Sequence, residues 1–378
     1  MNFLRAFINI FPPSIFFGVL LFSQLIEAAP PIKLGFVGDI TGMTSDVGVN
    51  VRDGVLYAVE EINEKGGIQG RKIELIIRDD KGQKEVARQA DIELFKKGVV
   101  AIIGHITSSM TAVGKTVADS HKILLVTPNA ASYELFKKKD FLVCINSSFW
   151  EETSKLAKVA RTELGVADMV CLYDISNPKY TRNYLKWFTT FFERFGGRVT
   201  KEIPFESQKM GDFWKTASAL NLNGAQGVLL IAAPLHSAIL TQKVRKLNKN
   251  AEVFCVSWSL TSTFLKEGGK AIEGVWFCSG FDPQCKKTAY LNFSKGYKER
   301  YGKEPDLFAV LGYETVLVLE RALEKADGNP EKLLKFIPGR YKGIQGPFII
   351  DEYGDAHREW FLLRVKNGKF VRIKRMTD

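Results

Sequence analysis

The stretch from Val99 to Ser132, VVAIIGHITSSMTAVGKTVADSHKILLVTPNAAS, limits the architecture more than any other part of the chain. Val99 to Ile103 and Ile123 to Val126 are short runs rich in β-branched residues, and Ser109 to His121 between them carries helical spacing. Strand, helix and strand in that order make a βαβ crossover, the unit of a buried parallel sheet. Sheets of this kind place ligands beyond the carboxyl ends of their strands, here Gly104 to Ser109 and Thr127 to Ser132. Ser108 or Ser109 falls at the helix N-cap, where free N–H groups and the helix dipole suit a carboxylate. Two readings of these serines stand side by side: they only cap the helix, or they also seat an acidic small molecule.

The same alternation extends in both directions. Ile32 to Val37 reads as a strand, Asn50 to Lys65 as a helix stopped by Gly66 and Gly67, Arg71 to Arg78 as a strand and Gln83 to Lys97 as a helix. After FLVCIN at 141 to 146 the pattern restarts at Trp150, with strands at 168–173, 198–204, 227–232 and 252–256 separated by helical segments. A chain of 378 residues is too long for one ordinary core and suits two lobes of roughly 150 residues each. The fold class is therefore α/β, with two doubly wound parallel-sheet lobes. A further strand at 274–278 and helices at 288–301 and 308–325 precede a different ending. Segments 346–351, 359–365 and 369–374 read as antiparallel strands that close the structure.

Residues 1–28 stand apart. Arg5, the apolar run Ser14 to Phe22 and the small-residue end SQLIEAAPP form a secretory signal pattern with cleavage after Ala28; an uncleaved anchor is the alternative. No later segment approaches the roughly 20 apolar residues of a membrane span, so the mature, exported protein is expected to be soluble. The net charge of +11 is spread along helices rather than gathered in a stripe, so it reads as a solvated surface and not as a nucleic-acid interface. Five cysteines, Cys144, Cys171, Cys255, Cys278 and Cys285, follow the signal segment, an odd count that leaves at least one thiol free, and Cys278 with Cys285 is the one close pair that an oxidising compartment could bridge.

Catalytic signatures are missing. There is no G-x-G-x-x-G, Walker loop, G-x-S-x-G or H-E-x-x-H. His105, His121, His236 and His357 lie in separate segments and read as surface or packed residues, and Asp79 with Asp80 reads as a cap and a solvated loop. The expectation is a non-enzyme, with no catalytic residue, no metal and no cofactor.

Several stretches together carry a resemblance: IKLGFVGDITG at 32–42, AVEEINEKGGIQGRKIELIIRDD at 58–80, AIIGHITSS at 101–109, ILLVTPNAAS at 123–132, YKERYGKEPDLFAVLGYETVLVLERAL at 297–323 and YKGIQGPFIIDEYGD at 341–355. In order and over nearly the whole mature chain, these resemble the periplasmic leucine/isoleucine/valine-binding proteins of ABC uptake systems, with the type I periplasmic binding fold. The resemblance implies two lobes joined by three hinge crossings near Asn146, Ser279 and Ile350. Lobe 1 would be 32–146 plus 279–350, and lobe 2 would be 147–278 plus 351–378. It also implies a monomer that captures a small-molecule ligand and hands it to an ABC permease in the inner membrane. The alternative is a sensor of the same fold that signals to a membrane receptor or kinase.

Carried over residue by residue, the resemblance implies that the ligand carboxylate sits at Ser108, with Ser109 beside it, and on the backbone of Asn129, Ala130 and Ala131. Aromatic contacts fall at Tyr180 and Phe308, and Trp258 is a further candidate wall. Departures are informative. A first-loop tyrosine is replaced by Val47, a hydroxyl-bearing residue by Ala131, a second-lobe tyrosine by Ala233, and the glutamate that pairs with the α-ammonium aligns near Ser257. The anion seat is kept and the cation seat lost, so the expected ligand is a carboxylate without a free α-amino group, aromatic or aliphatic.

Overall fold

The computed structural model describes residues 29–327 and 329–376, so the expected signal segment lies outside the described residues. Strands and helices first alternate as β1 (Ile32–Gly38), α1 (Ser45–Glu64), β2 (Ile73–Asp79), α2 (Lys84–Lys96), β3 (Ala101–Ile103), α3 (Ser108–His121), β4 (Leu124–Thr127) and β5 (Leu142–Cys144). The five strands form one all-parallel sheet in the order β2-β1-β3-β4-β5. Its central strands are buried along their length, which is why they read as continuous apolar runs rather than alternating ones.

The alternation then repeats as α4 (Phe149–Lys158), β6 (Asp168–Asp174), α5 (Pro178–Arg194), β7 (Arg198–Phe205), α6 (Met210–Ala219), β8 (Gly227–Ile231), α7 (Pro234–Leu247), β9 (Glu252–Cys255), α8 (Ser262–Gly268) and β10 (Trp276–Ser279). After this, α9 (Thr288–Tyr301) and α10 (Leu307–Ala326) return to the first body and pack on α1. A short α11 (Leu333–Phe336) leads to a small antiparallel sheet of β11 (Gly339–Lys342), β12 (Pro347–Ile350) and β13 (Ala356–His357). The closing hairpin, β14 (Trp360–Lys366) and β15 (Lys369–Met376), adds to the second sheet, whose order is β15-β14-β10-β9-β8-β6-β7. This is the type I periplasmic binding fold.

Strand membership shows where the chain enters or leaves the seven-stranded sheet: after Cys144, after Ser279, and between His357 and Trp360. The third passage lies beyond the expected Ile350, because β13 pairs with β12 and Asp355 bridges in parallel to Cys144 of β5. All three passages meet at Arg358. Its Nε donates to the Ile145 carbonyl at 3.0 Å, its Nη1 donates to Glu314 at 2.6 Å, and its side chain lies against Gly280. The five cysteines are free, buried thiols, Cys278 and Cys285 included.

Close contact between α1 and α10 depends on two glycines facing across the pair. A Cβ on Gly54 would lie 2.1 Å from the Ala309 carbonyl oxygen, and one on Gly312 would lie 2.2 Å from that of Val51. In an isolated helix Gly→Ala stabilises by about 1 kcal/mol. Here the methyl meets backbone that cannot rotate away, and overpacking of that kind costs about 1–3 kcal/mol. Gly312→Ala is therefore expected to lower stability by up to about 2 kcal/mol net, read as a lower urea midpoint with unchanged slope.

Candidate ligand-binding site

The turn after β3 takes its shape from a buried charge cluster. His105 has no exposed surface, its Nδ1 lies 2.7 Å from Asp80 Oδ2, and its Nε2 lies 3.0 Å from Asp91 Oδ2. Burial by itself would strip the proton from this imidazole, but the charge of Asp91 and hydrogen bonds to Asp80 and Asp91 outweigh it and raise the pKa to about 10. Asp80 is thus a buried partner and not part of a solvated loop, and His105 is an ion-paired core residue rather than a surface one. The carbonyl of His105 accepts hydrogen bonds from the hydroxyls of Thr111 and Thr127, which tie the turn to α3 and to β4.

This clamp delivers the amino end of α3. The N-cap is Thr107, whose Oγ1 accepts from the Met110 N–H at 3.3 Å, so the cap lies one residue before the serines. Ser108 opens the helix, and its Oγ accepts from the Ser132 N–H. The N–H and hydroxyl of Ser109 both donate to Asn177 Oδ1, at 3.2 and 2.9 Å. Asn177 is the N-cap residue of α5, so the amino ends of α3 and α5 face each other, one from each body. Around them Ser132 donates to the Lys179 carbonyl at 2.7 Å, and Glu134 pairs with Lys179 and Asn183.

Between these elements lies a cavity of about 10 Å³, room for about one water molecule. The first body lines it with Ile106, Thr107, Ser108, Asn129, Ala131 and Asn146, and the second with Asn177, Tyr180, Ser257 and Trp258. Tyr180 and Trp258 meet edge to face with ring centroids 5.7 Å apart, and Phe149 buttresses Tyr180 from behind. No charged side chain lines the cavity.

Six of the nine sequence candidates therefore converge: Ser108, Asn129, Ala131, Tyr180, Ser257 and Trp258. Three do not line it. Ser109 turns toward Asn177, and Ala130 is buried in the core beside α3 with its N–H on Thr127. Phe308 is fully buried in α10, where the Asp306 cap fixes the helix start and points the ring into the core. Ile106 and Thr107, from the strand-end turn, also line the cavity, as do Asn146, read from the sequence only as a hinge crossing, and Asn177, which was not a candidate. Asn177 had a readable signal, an Asn directly before a proline-initiated helix.

One further residue escaped the sequence reading. Glu152, in the first turn of α4, is buried behind Ser257. It accepts from the Ser257 N–H at 2.9 Å, the Ser257 hydroxyl at 2.7 Å and the Tyr184 hydroxyl at 3.0 Å. Burial pushes its carboxyl up to about 7, against these hydrogen bonds, which favour the charged form. Its signal was an acid on the apolar face of a helix, flanked by Phe149, Thr153 and Leu156, which are all buried.

Residues 31–369 match the model of a family described as periplasmic binding protein. The chain belongs to that family. A leucine-, isoleucine-, valine-, threonine- and alanine-binding protein of Pseudomonas aeruginosa is 24% identical over 341 residues, 88% of this chain and 89% of that protein. The crystal structure of a leucine-binding protein from Thermotoga maritima superposes with a TM-score of 0.83 at 26% identity, covering 91% of this chain and 98% of that one. A solute-binding protein from R. palustris in complex with benzoate gives 0.82 at 16% identity, covering 91% and 96%. Among the described residues no helix is long and apolar enough to cross a membrane.

The His105 clamp makes stability depend on pH. Its folded pKa lies above the value of about 6.5 for a free imidazole, so its contribution is complete below about pH 6.5 and is lost as pH rises toward 10. His105→Gln leaves two buried carboxylates without their cation and is expected to cost about 3 kcal/mol at pH 6.5. Urea titrations across this range should show the gap between wild type and variant narrowing as pH climbs.

Proposed function

We propose that this periplasmic binding protein is an exported solute-binding protein that captures a small carboxylate lacking a free α-amino group and delivers it to an ABC permease. The observation that carries this reading is the neutrality of the cavity lining together with the amino end of α3 at its wall. Peptide N–H groups at a helix start, aided by the hydroxyl of Ser108, stabilise an anion without a cationic partner. An α-ammonium enclosed in the same place would touch amides, hydroxyls and rings, with the Glu152 carboxylate held behind Ser257 and out of direct contact. Leaving it unpaired costs several kcal/mol. Ser257 stands where the resemblance to amino acid-binding relatives implies a glutamate. The benzoate held by the R. palustris relative shows that a protein of this fold accepts an acid with no amino group.

Capture requires the two bodies to part, since the closed cavity is smaller than any such ligand. On this reading the first lobe comprises 32–146 and the segment from 279 through β13, and the second comprises the rest. They rotate about the three passages gathered at Arg358 and close when a ligand touches both walls.

Titration calorimetry of the purified chain with benzoate, 4-methylpentanoate, leucine, isoleucine and valine tests the reading. Micromolar affinity is expected for at least one of the two acids and none for the three amino acids. Micromolar binding of leucine, isoleucine or valine would refute it. Ser108→Ala should weaken the bound acid about tenfold, the worth of one hydrogen bond to a charged group.

A further inference from the structure

Glu152 does not touch the cavity, yet it governs an atom that does. An ionised carboxylate only accepts hydrogen bonds, and the three neighbours of Glu152 supply an N–H and two hydroxyls. Ser257 has a single hydroxyl proton, and that proton points at Glu152 Oε2, 2.7 Å away. What Ser257 Oγ turns to the cavity is therefore a lone pair. A ligand group meeting this wall has to donate. The negative charge behind the wall also repels a second anion, which sends the ligand carboxylate to the α3 side.

We propose that Glu152 is a positioning residue that fixes the hydrogen-bond sense of Ser257, so that the cavity selects carboxylates carrying a hydroxyl donor over the same acids without one. This rests on the cavity being the ligand site. It narrows the ligand to the hydroxy acids.

Protonation reverses the arrangement. A neutral Glu152 has a proton of its own to give to Ser257 Oγ, and the Ser257 proton then turns to the cavity, making the wall a donor. Burial sets this change near pH 7. The other ionisable groups facing Glu152 stay uncharged there: burial raises Tyr180 and Tyr184 on α5 and the Cys278 thiol on β10 well above their usual ranges. On α4 itself, Glu151 accepts from the Trp360 indole N–H, and Lys155 lies one turn further along.

The test is calorimetry on the full chain with two matched pairs, benzoate against 4-hydroxybenzoate and 4-methylpentanoate against 2-hydroxy-4-methylpentanoate, at about pH 6 and about pH 8.5. All four probes remain carboxylates over that range. At the higher pH the hydroxylated member of one pair is expected to bind about fivefold or more tightly, as one added hydrogen bond allows, and this ratio should fall toward one at the lower pH. Glu152→Gln, whose amide N–H donates to Ser257 Oγ, should show the low-pH ratio at both values, and Ser257→Ala should show no preference at either. A preference unaffected by pH or by Glu152→Gln would overturn the inference and reduce Glu152 to a structural acid. Acids that bind with no hydroxyl preference would overturn it while leaving the carboxylate reading intact. No binding by any probe would overturn both. If Glu152→Gln does not fold, the wild-type pH pair and Ser257→Ala decide the matter.

Discussion

His105 lies between Asp80, at the end of β2, and Asp91, on α2, and the path of the chain after β3 follows from satisfying both carboxylates at once. Two acids buried at about 1% exposure are tolerable only with a proton-holding partner between them. Gly114 on α3 makes room for that partner, because a Cβ there would lie 2.6 Å from Nε2. Four elements are thus fixed around one ring. The amino end of α3, which forms a wall of the cavity, is delivered by this cluster rather than by its own caps.

The two bodies are held together differently at the passages and at the mouth. Arg358 and Glu314 are nearly buried, and the guanidinium also covers the Phe348 ring at 4.1 Å, so this junction resists separation. At the mouth, Lys179 and Glu134 remain about half exposed, and pairs of that kind contribute about 0–1 kcal/mol. Water can replace such contacts at little cost. A firm junction with a weakly held mouth is the distribution of strength a clamshell needs, since opening must be cheap and must not disturb the axis.

On the proposed reading, recognition within the cavity rests on peptide groups and neutral side chains, while charge is kept one layer back. The amino end of α3 supplies peptide N–H groups that favour an anion on one side, and Glu152 accepts from the Ser257 hydroxyl on the other. A buried carboxylate facing only neutral donors is poised between its two states, because desolvation and hydrogen bonding oppose each other in it.

The order of strands and helices was legible in the chain because buried parallel strands and amphipathic helices leave different periods, and the βαβ unit at 101–127 stands where the sequence placed it. The turns that line the cavity followed from the same rule about strand ends. Partnerships between distant segments were not legible. Whether a serine caps or is capped depends on one residue of φ/ψ at Thr107. Phe308 was fixed by the Asp306 cap and by α10 packing on α1. Asp80, His105 and Asp91 are neighbours only because β2, β3 and α2 converge. Glu152 and Ser257 are 105 residues apart, and their pairing gives Ser257 its meaning. Sequence alone determined the two sheet bodies and the place of the cleft, since both arise from local patterning. Tertiary structure decided which side chains reach the cavity and which way their protons point, because those depend on groups brought together from opposite ends of the chain.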